Sequence, residues 1–472
     1  MIMHQGQPDD FRAIFKETEA AAERALARPA TFARYREALL RQVRSESDLL
    51  AASDVQPLPL AVPDLHRQRL AGLTRPLFDA IDGVVQAYVD GDPELDGFFA
   101  RYNALRPMMI RQRATWQGFG RYDFMVDRRG RPQFIETNAA MASGYLSMQC
   151  LRQDFLATAP DFLQVPGMHD DGGPRGRAFG QAIREMVRDF TAADGVVAIL
   201  LDENNKVREV GLIVAALRTA GLQVVVGEAA DMVFEGGAYR LTPGGPPIVA
   251  TFNKLRLFGA RDHWAPGAED RYATFLQGVR DNAFLMINNF ACMTVAEDKG
   301  IFAALRLPGV QRRLTAAQRR VVAGHTPDSY LLAPEVRTVD GARLVADIKA
   351  ARGEWVLKPR NDYQGSGVHS GRDASAADWA ALVDDLLAGG VPYLAQRRVD
   401  AYMAPLAVAE GDAVIPGEMR LLGGIYFANR HFPALLARVS PSEVANVNSG
   451  KAYVLPQVLQ RMPAVLPEAV AA

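Results

Sequence analysis

The chain has 472 residues, 49% of them hydrophobic and 23% charged, an ordinary globular balance that points to two or three domains or one multi-lobed enzyme. Fifty-three basic side chains against 54 acidic ones leave a formal charge of −1, so no global field would hold nucleic acid or an anionic membrane, and any phosphate site must be local. Two cysteines, Cys150 and Cys292, exclude a disulfide framework and suit a reducing cytoplasm; Met1–Arg12 lacks an apolar run, so no signal peptide is expected, and no stretch of about 18 apolar residues predicts a membrane span.

Taken in chain order, residues 8–43 show helical spacing of Phe15, Ala22 and Leu26. Pro57, Pro59 and Pro63 break the pattern, and a second helical region covers about 65–106. Gly120 to Asn138 reads as strand, tight turn at Arg129-Gly130, strand, ending in Glu136-Thr137-Asn138. Val196–Leu201 reads as a short buried strand. A polar turn, a helix over 210–220 stopped by Gly221, and a strand over 222–226 follow, which is the start of an open α/β sheet. The first turn lacks GxGxxG, so dinucleotide binding is disfavoured. Ligands still favour the carboxyl ends of such strands, which makes Glu203, Asn204 and Arg208 candidate contacts, with plain helix capping the alternative.

Further on, Thr294 to Phe302 reads as a capped helix start that places Lys299 in the first turn, where a cation is not favoured by the helix dipole. Glu354 to Val368 is the most informative stretch. A strand ends in Lys358 and is followed by a loop containing Gly365-Ser366-Gly367. A fixed ammonium beside unhindered backbone N–H groups suits nucleotide phosphates, although the loop is not a P-loop because no Gly-Lys-Ser/Thr follows. Gly417 to Phe427 reads as a hairpin through Gly423-Gly424, followed by a strand over 431–439, and the last residues read as an exposed tail.

Glu136 and Asn138 are two apart on a strand, so both side chains leave one face. A carboxylate and an amide oxygen so placed suit Mg²⁺, which fills its octahedron with water and phosphate oxygens; Asp123 and Asp362 are further oxygen donors. The alternative for Glu136 and Asn138 is a strand-end cap, that for Arg397-Arg398 a solvated pair, and that for Glu418 an ion pair with Arg420 across one strand face. The seven histidines show no HxxxH or HxH spacing, and no GxSxG elbow is present.

The order of hairpin ending in Ile-Glu-x-Asn, α/β unit, Asp298-Lys299, then Leu357-Lys358-Pro359-x₂-Asp362-x₂-Gly365-x-Gly367 resembles the ATP-grasp superfamily, in the circularly permuted branch typified by eukaryotic glutathione synthetase. Arg121-x-Asp123-Phe124-Met125, Ile135-Glu136-Thr137-Asn138 and Ala142-Ser143 are its nearest local matches, and the resemblance spans about 115–455. It implies an α/β (α+β) fold of two lobes clasping a nucleotide, with an inserted open α/β substrate domain and N-terminal helices. The corresponding divisions are a helical region over 1–114, a metal-binding part over 115–194, a substrate-binding domain over 195–292, a nucleotide lobe over 293–456 and a tail over 457–472.

By the same resemblance, Lys299 and Lys358 are the nucleotide-phosphate lysines, and Gly365, Ser366 and Gly367 the phosphate-covering loop. Glu136 and Asn138 are metal ligands. Asp362 stands where the family has a glutamate ligand. Ala395, Gln396, Arg397 and Arg398 match the hinge whose backbone holds adenine, and Glu418 the carboxylate facing the nucleoside. Arg121, Ser143 and Arg438 match substrate- and phosphate-facing positions. Lys451 falls where the family has a Gly/Ala-rich lid, whose sequence is not reproduced. The implied activity is ATP- and Mg²⁺-dependent joining of a carboxylate to an amine through an acyl phosphate, with amino acids or small peptides as substrates, in a cytoplasmic protein and possible homodimer. The rival readings are an ATP-grasp phosphotransferase with another acceptor, and a nucleotide-binding module without turnover.

Overall fold

The computed structural model describes residues 9–140, 142–170, 174–202, 209–255, 257, 267–361, 366–442 and 452–461. It is a mixed α/β protein of several sheets. Helices Lys16–Leu26, Pro29–Glu46 and Asp64–Val89 fall in the two stretches with helical spacing, and Asp64–Val89 carries Pro76 in its interior. None of the described helices is long and apolar enough to cross a membrane.

The largest sheet has seven strands. Its order is Asp54–Val55, Tyr453–Val454, His431–Ser440, Ala413–Ala428, Phe119–Val126 and Pro132–Asn138, with Ala404–Glu410 paired to the first half of Ala413–Ala428. The predicted hairpin is present: Phe119–Val126 and Pro132–Asn138 pair antiparallel, with Gly130 in the turn at φ +81°. A second sheet, Leu285–Ile287, Ile248–Lys254, Val196–Leu201 and Val224–Glu228, is parallel throughout. Its central strand Val196–Leu201 is apolar on both faces, as a covered parallel strand requires, while the edge strand Val224–Glu228 leaves Val226 exposed. Helix Glu209–Thr219 connects Val196–Leu201 to Val224–Glu228, as read from the sequence.

A third sheet, Ser329–Leu331, Tyr393–Arg397, Trp355–Pro359 and His369–Ser370, is antiparallel and has its own small core. Trp355, Leu357 and Ala395 face the helices Leu344–Ala350 and Ala376–Ala388 and pack with Leu344, Ile348, Trp379 and Val383. The two-residue period of the strand then turns Lys358 and Gln396 to the opposite face. One face of this sheet is therefore hydrophobic core and the other carries Lys358 and Gln396.

Three sequence expectations are corrected. Gly423 and Gly424 are not a turn: the strand Ala413–Ala428 runs straight through them, and the reversal falls at Asn429 and Arg430, both with positive φ. A Cβ on Gly423 would lie 2.5 Å from Phe124 Cζ, and one on Gly424 would lie 2.5 Å from Arg121 Cδ. The glycines admit side chains of the neighbouring strand rather than bend the chain. Thr294 does not cap a helix either. It lies inside a helical turn over Cys292–Ala296, and its hydroxyl donates to Phe290 O. The later turn Ile301–Ala304 is preceded by Asp298, whose carboxylate accepts from Gly300 N at 2.7 Å. Finally, Gln457–Gln460, assigned to the tail, form a buried strand between Leu60–Pro63 and Met168–His169.

The Gly424 contact makes a stability prediction. Gly424→Ala must displace the Arg121–Asp123 pair that lies across it, so we expect a loss of roughly 1–3 kcal/mol. Denaturant unfolding measures it, and an unchanged midpoint would show that the pair moves aside freely.

Candidate active site

The hairpin presents a polar face built by its register. Arg121 stands opposite Asn138 and Asp123 opposite Glu136, while Tyr122 and Thr137 turn to the other side and are buried. Arg121 Nη2 donates to Asp123 Oδ2 at 3.0 Å and its Nε to Oδ1; Arg438, from the strand His431–Ser440, donates to Oδ2 at 2.9 Å. Gly424 lies beneath this cluster and leaves room for it. Burial raises the Asp123 pKa, but the two guanidiniums outweigh it and bring it down to about 2. Asp123, expected as a metal ligand, has both oxygens taken by arginine donors and holds those arginines in place. Ser143 is placed nearby through its backbone: its carbonyl accepts from Arg121 Nη1 at 3.3 Å and from the Tyr426 hydroxyl at 2.7 Å.

The two lysines arrive from different segments. Lys299 Nζ is 3.4 Å from Glu136 Oε1, and only 6% of the residue is exposed. Burial lowers the Lys299 pKa, but the carboxylates of Glu136 and Glu297 outweigh it and leave it raised. Lys358 Nζ donates to Gln396 Oε1 at 2.8 Å and to Ile135 O at 3.4 Å, the carbonyl just before Glu136. Burial is the main influence on Lys358 and pulls it down to about 8; Glu136 opposes that shift and Lys299 reinforces it. Glu136 thus pairs with Lys299, and Lys358 reaches the carbonyl of the residue just before Glu136.

A buried ion pair sets the spacing of the two lysine segments. Asp298, fully buried, accepts from Arg360 Nε at 3.0 Å, and the Tyr102 hydroxyl donates to it at 3.0 Å. Arg360 O in turn accepts from Lys299 N at 3.1 Å. Asp298 precedes Lys299, and Arg360 lies two residues after Lys358, so one clasp joins both. Sequence reasoning missed this pair, whose only sign was an acid and a base beside the two lysines.

Other expected residues are placed less favourably. Gln396 turns its amide to Lys358 and Ser329, not to solvent. The N–H groups of Arg397 and Arg398 donate at 2.7 Å to Asp328 O and Glu354 O, so those donors are already committed within the protein. The Arg397 guanidinium pairs with Asp347 and lies 4.1 Å from the Trp355 ring centre, and Arg398 Nε donates to Gly353 O. Glu418 stands exposed opposite Pro405. Ser366 and Gly367 follow the Lys358 strand, and Gly367 has φ +66°. Asp362, Gly365, Glu203, Asn204, Arg208 and Lys451 lie outside the described residues.

The donor set fits Mg²⁺ in kind. Glu136 keeps 28% of its side chain exposed, and the buried Asn138 Nδ2 has no hydrogen-bond partner among the described residues. The two ends of an amide share one shape, so turning it offers an unpartnered oxygen beside the carboxylate. Among the described residues no three His, Cys, Asp or Glu gather as a ready metal cluster. Mg²⁺ needs none, because one or two protein oxygens with phosphate and water complete its shell.

No family model matches the sequence, and no curated protein matches it significantly. Among solved structures, the chain is similar to a glutathione synthetase-like effector from Globodera pallida in its apo form, at 11% identity over 94% of this chain and 93% of that one, with a TM-score of 0.49. It is also similar to a putative gamma-glutamylcysteine synthetase from Methylobacillus flagellatus, at 14% identity over 79% and 85% of the two chains, with a TM-score of 0.42. A D-cycloserine synthetase gives 16% identity over 57% of this chain and 92% of the other, with a TM-score of 0.27. These are distant likenesses, and the reading of the site rests on its own geometry.

Proposed function

We propose that the protein is an ATP-dependent carboxylate–amine ligase that works through an acyl phosphate, with an ATP-grasp arrangement of its lobes and amino acids or small peptides as substrates. One observation carries the reading: Glu136 pairs with Lys299 at 3.4 Å, and Lys358, from a third stretch of chain, donates to the carbonyl of Ile135, the residue before Glu136. Two ammonium groups and a solvent-reaching carboxylate form the charge pattern that a metal-bound polyphosphate requires. In this reading Glu136 and Asn138 would hold Mg²⁺, which would supply positive charge against the phosphate oxygens. Lys299 and Lys358 bind the phosphate oxygens and stabilise the charge that develops in transfer. The Arg121–Asp123–Arg438 cluster presents a fixed positive edge to the substrate carboxylate, which attacks the γ-phosphorus and displaces ADP. The amine then attacks the acyl carbon and phosphate leaves. The domain divisions, cytoplasmic location and homodimer belong to the same proposal.

The test is ADP release with amino acids and small peptides supplied singly and in pairs. A ligase releases ADP in proportion to amide formed and requires both partners; ADP release with one acceptor alone, or binding without turnover, rejects it.

Protonated Lys358 adds a pH dependence. Its ammonium persists below about pH 8 and is lost above it. Affinity for a non-hydrolysable ATP analogue is expected to fall by up to about tenfold per pH unit above that midpoint. Titration calorimetry from pH 6.5 to 9.5 measures it, and a flat profile shows that Lys358 does not face the phosphates.

A further inference from the structure

The segment after the Pro132–Asn138 strand is held by a second set of groups that the proposed reaction does not use. Glu297 Oε2 accepts from Ala140 N at 2.8 Å and from Ala139 N. On the other side of the same peptide, Ala139 O accepts from Asn288 Nδ2 at 2.6 Å and from the Cys292 thiol at 3.4 Å. Ala139 is therefore gripped at both its amide and its carbonyl by the stretch 288–297. Glu297 also lies two residues before Lys299 and interacts electrostatically with it and with Glu136.

We propose that Glu297 is a positioning residue: by accepting two backbone N–H groups, it fixes the strand end that carries Glu136 and Asn138 in register with the Lys299 segment. The inference rests on the proposed nucleotide site and adds a residue that the motif resemblance does not assign. One side-chain oxygen receiving two backbone amides ties both N–H groups to a single point, and the tie depends on the acceptor's position. Groups that orient metal ligands without touching the metal matter because a small displacement of a ligand oxygen costs affinity, typically 10–100-fold.

Three full-length variants separate the mechanism. Glu297→Ala removes the acceptor. Glu297→Asp keeps the charge but shortens the reach by one methylene. Glu297→Gln loses the charge but keeps an oxygen that can accept from both amides. Two readouts are taken: the Mg²⁺ concentration giving half-maximal ADP release, and hydrogen exchange at the Ala139 and Ala140 amides in the protein without nucleotide. We expect Ala and Asp to raise the Mg²⁺ requirement about tenfold or more, with a smaller change in kcat, and to speed exchange at both amides. Gln should stay within about threefold on both measures. Unchanged exchange and Mg²⁺ dependence in the Ala variant overturn the proposal, and so does a Gln variant as impaired as Ala, since that assigns the effect to charge. Should wild-type protein release no ADP with any substrate, the ligase reading fails by itself; the amide exchange still decides the role of Glu297. Melting curves of all three variants confirm that they are folded.

Discussion

Lys358→Met is expected to lower ADP formation by about 10²–10³-fold while leaving the fold intact. The strand Trp355–Pro359 holds the ammonium in place, with the hydrophobic core on its opposite face, so the side chain is delivered at a fixed point beside Glu136 and Lys299. Met preserves the length and apolar stem of the side chain and removes the charge together with the hydrogen bonds to Gln396 Oε1 and Ile135 O. Burying that charge costs the folded state, as the depressed pKa of Lys358 indicates, and its removal offsets the loss of the donor to Gln396 and Ile135, so the variant is expected to keep a cooperative melting transition. A variant that retains wild-type kcat would refute the assignment. A variant that loses activity only together with its cooperative melting transition would show a structural role instead.

The second large effect is on stability. Asp298→Ala is expected to cost about 3–5 kcal/mol in denaturant unfolding, because Arg360 is left as a buried cation without its counter-charge. Asp298 receives Arg360 Nε, the Tyr102 hydroxyl and Gly300 N, so three donors lose an acceptor at once. Arg360→Met leaves the converse, an unpaired buried carboxylate, and is expected to be similarly costly. The double variant Asp298→Leu/Arg360→Met should be less damaging than the sum of the two, since neither charge then remains stranded. Additive losses would mean that the two side chains act independently. Because the pair also carries the Lys299 N to Arg360 O bond, nucleotide affinity should fall in the single variants under conditions where they remain folded.

The parts of the site that were legible in the sequence are those set by local periodicity. Strand alternation places Glu136 and Asn138 on one face, and the same rule places Lys358 opposite the Trp355–Leu357 core. The short apolar run Val196–Leu201 is a strand with the bounds read from it. What was not legible depends on partners remote in sequence. A pair of glycines signals a turn or a close approach equally well; at Gly423-Gly424 the choice was made by Phe124 and Arg121, some 300 residues away by number. The actual reversal uses Asn429, a residue that tolerates a positive φ because of its short polar side chain. Asp123 looked like an oxygen donor for a metal because the guanidinium of Arg438 arrives from a strand that no local pattern connects to it. Glu297 was one acid among several near Lys299, and only the fold shows that it holds Ala139 and Ala140.

The most direct measurement is a crystal structure with Mg²⁺ and a non-hydrolysable ATP analogue. The β- and γ-phosphates should lie between Lys299 and Lys358, with the metal on Glu136 and Asn138. A nucleotide bound elsewhere, or those lysines still closed on Glu136 and Gln396 with nucleotide bound to the protein, would contradict the account.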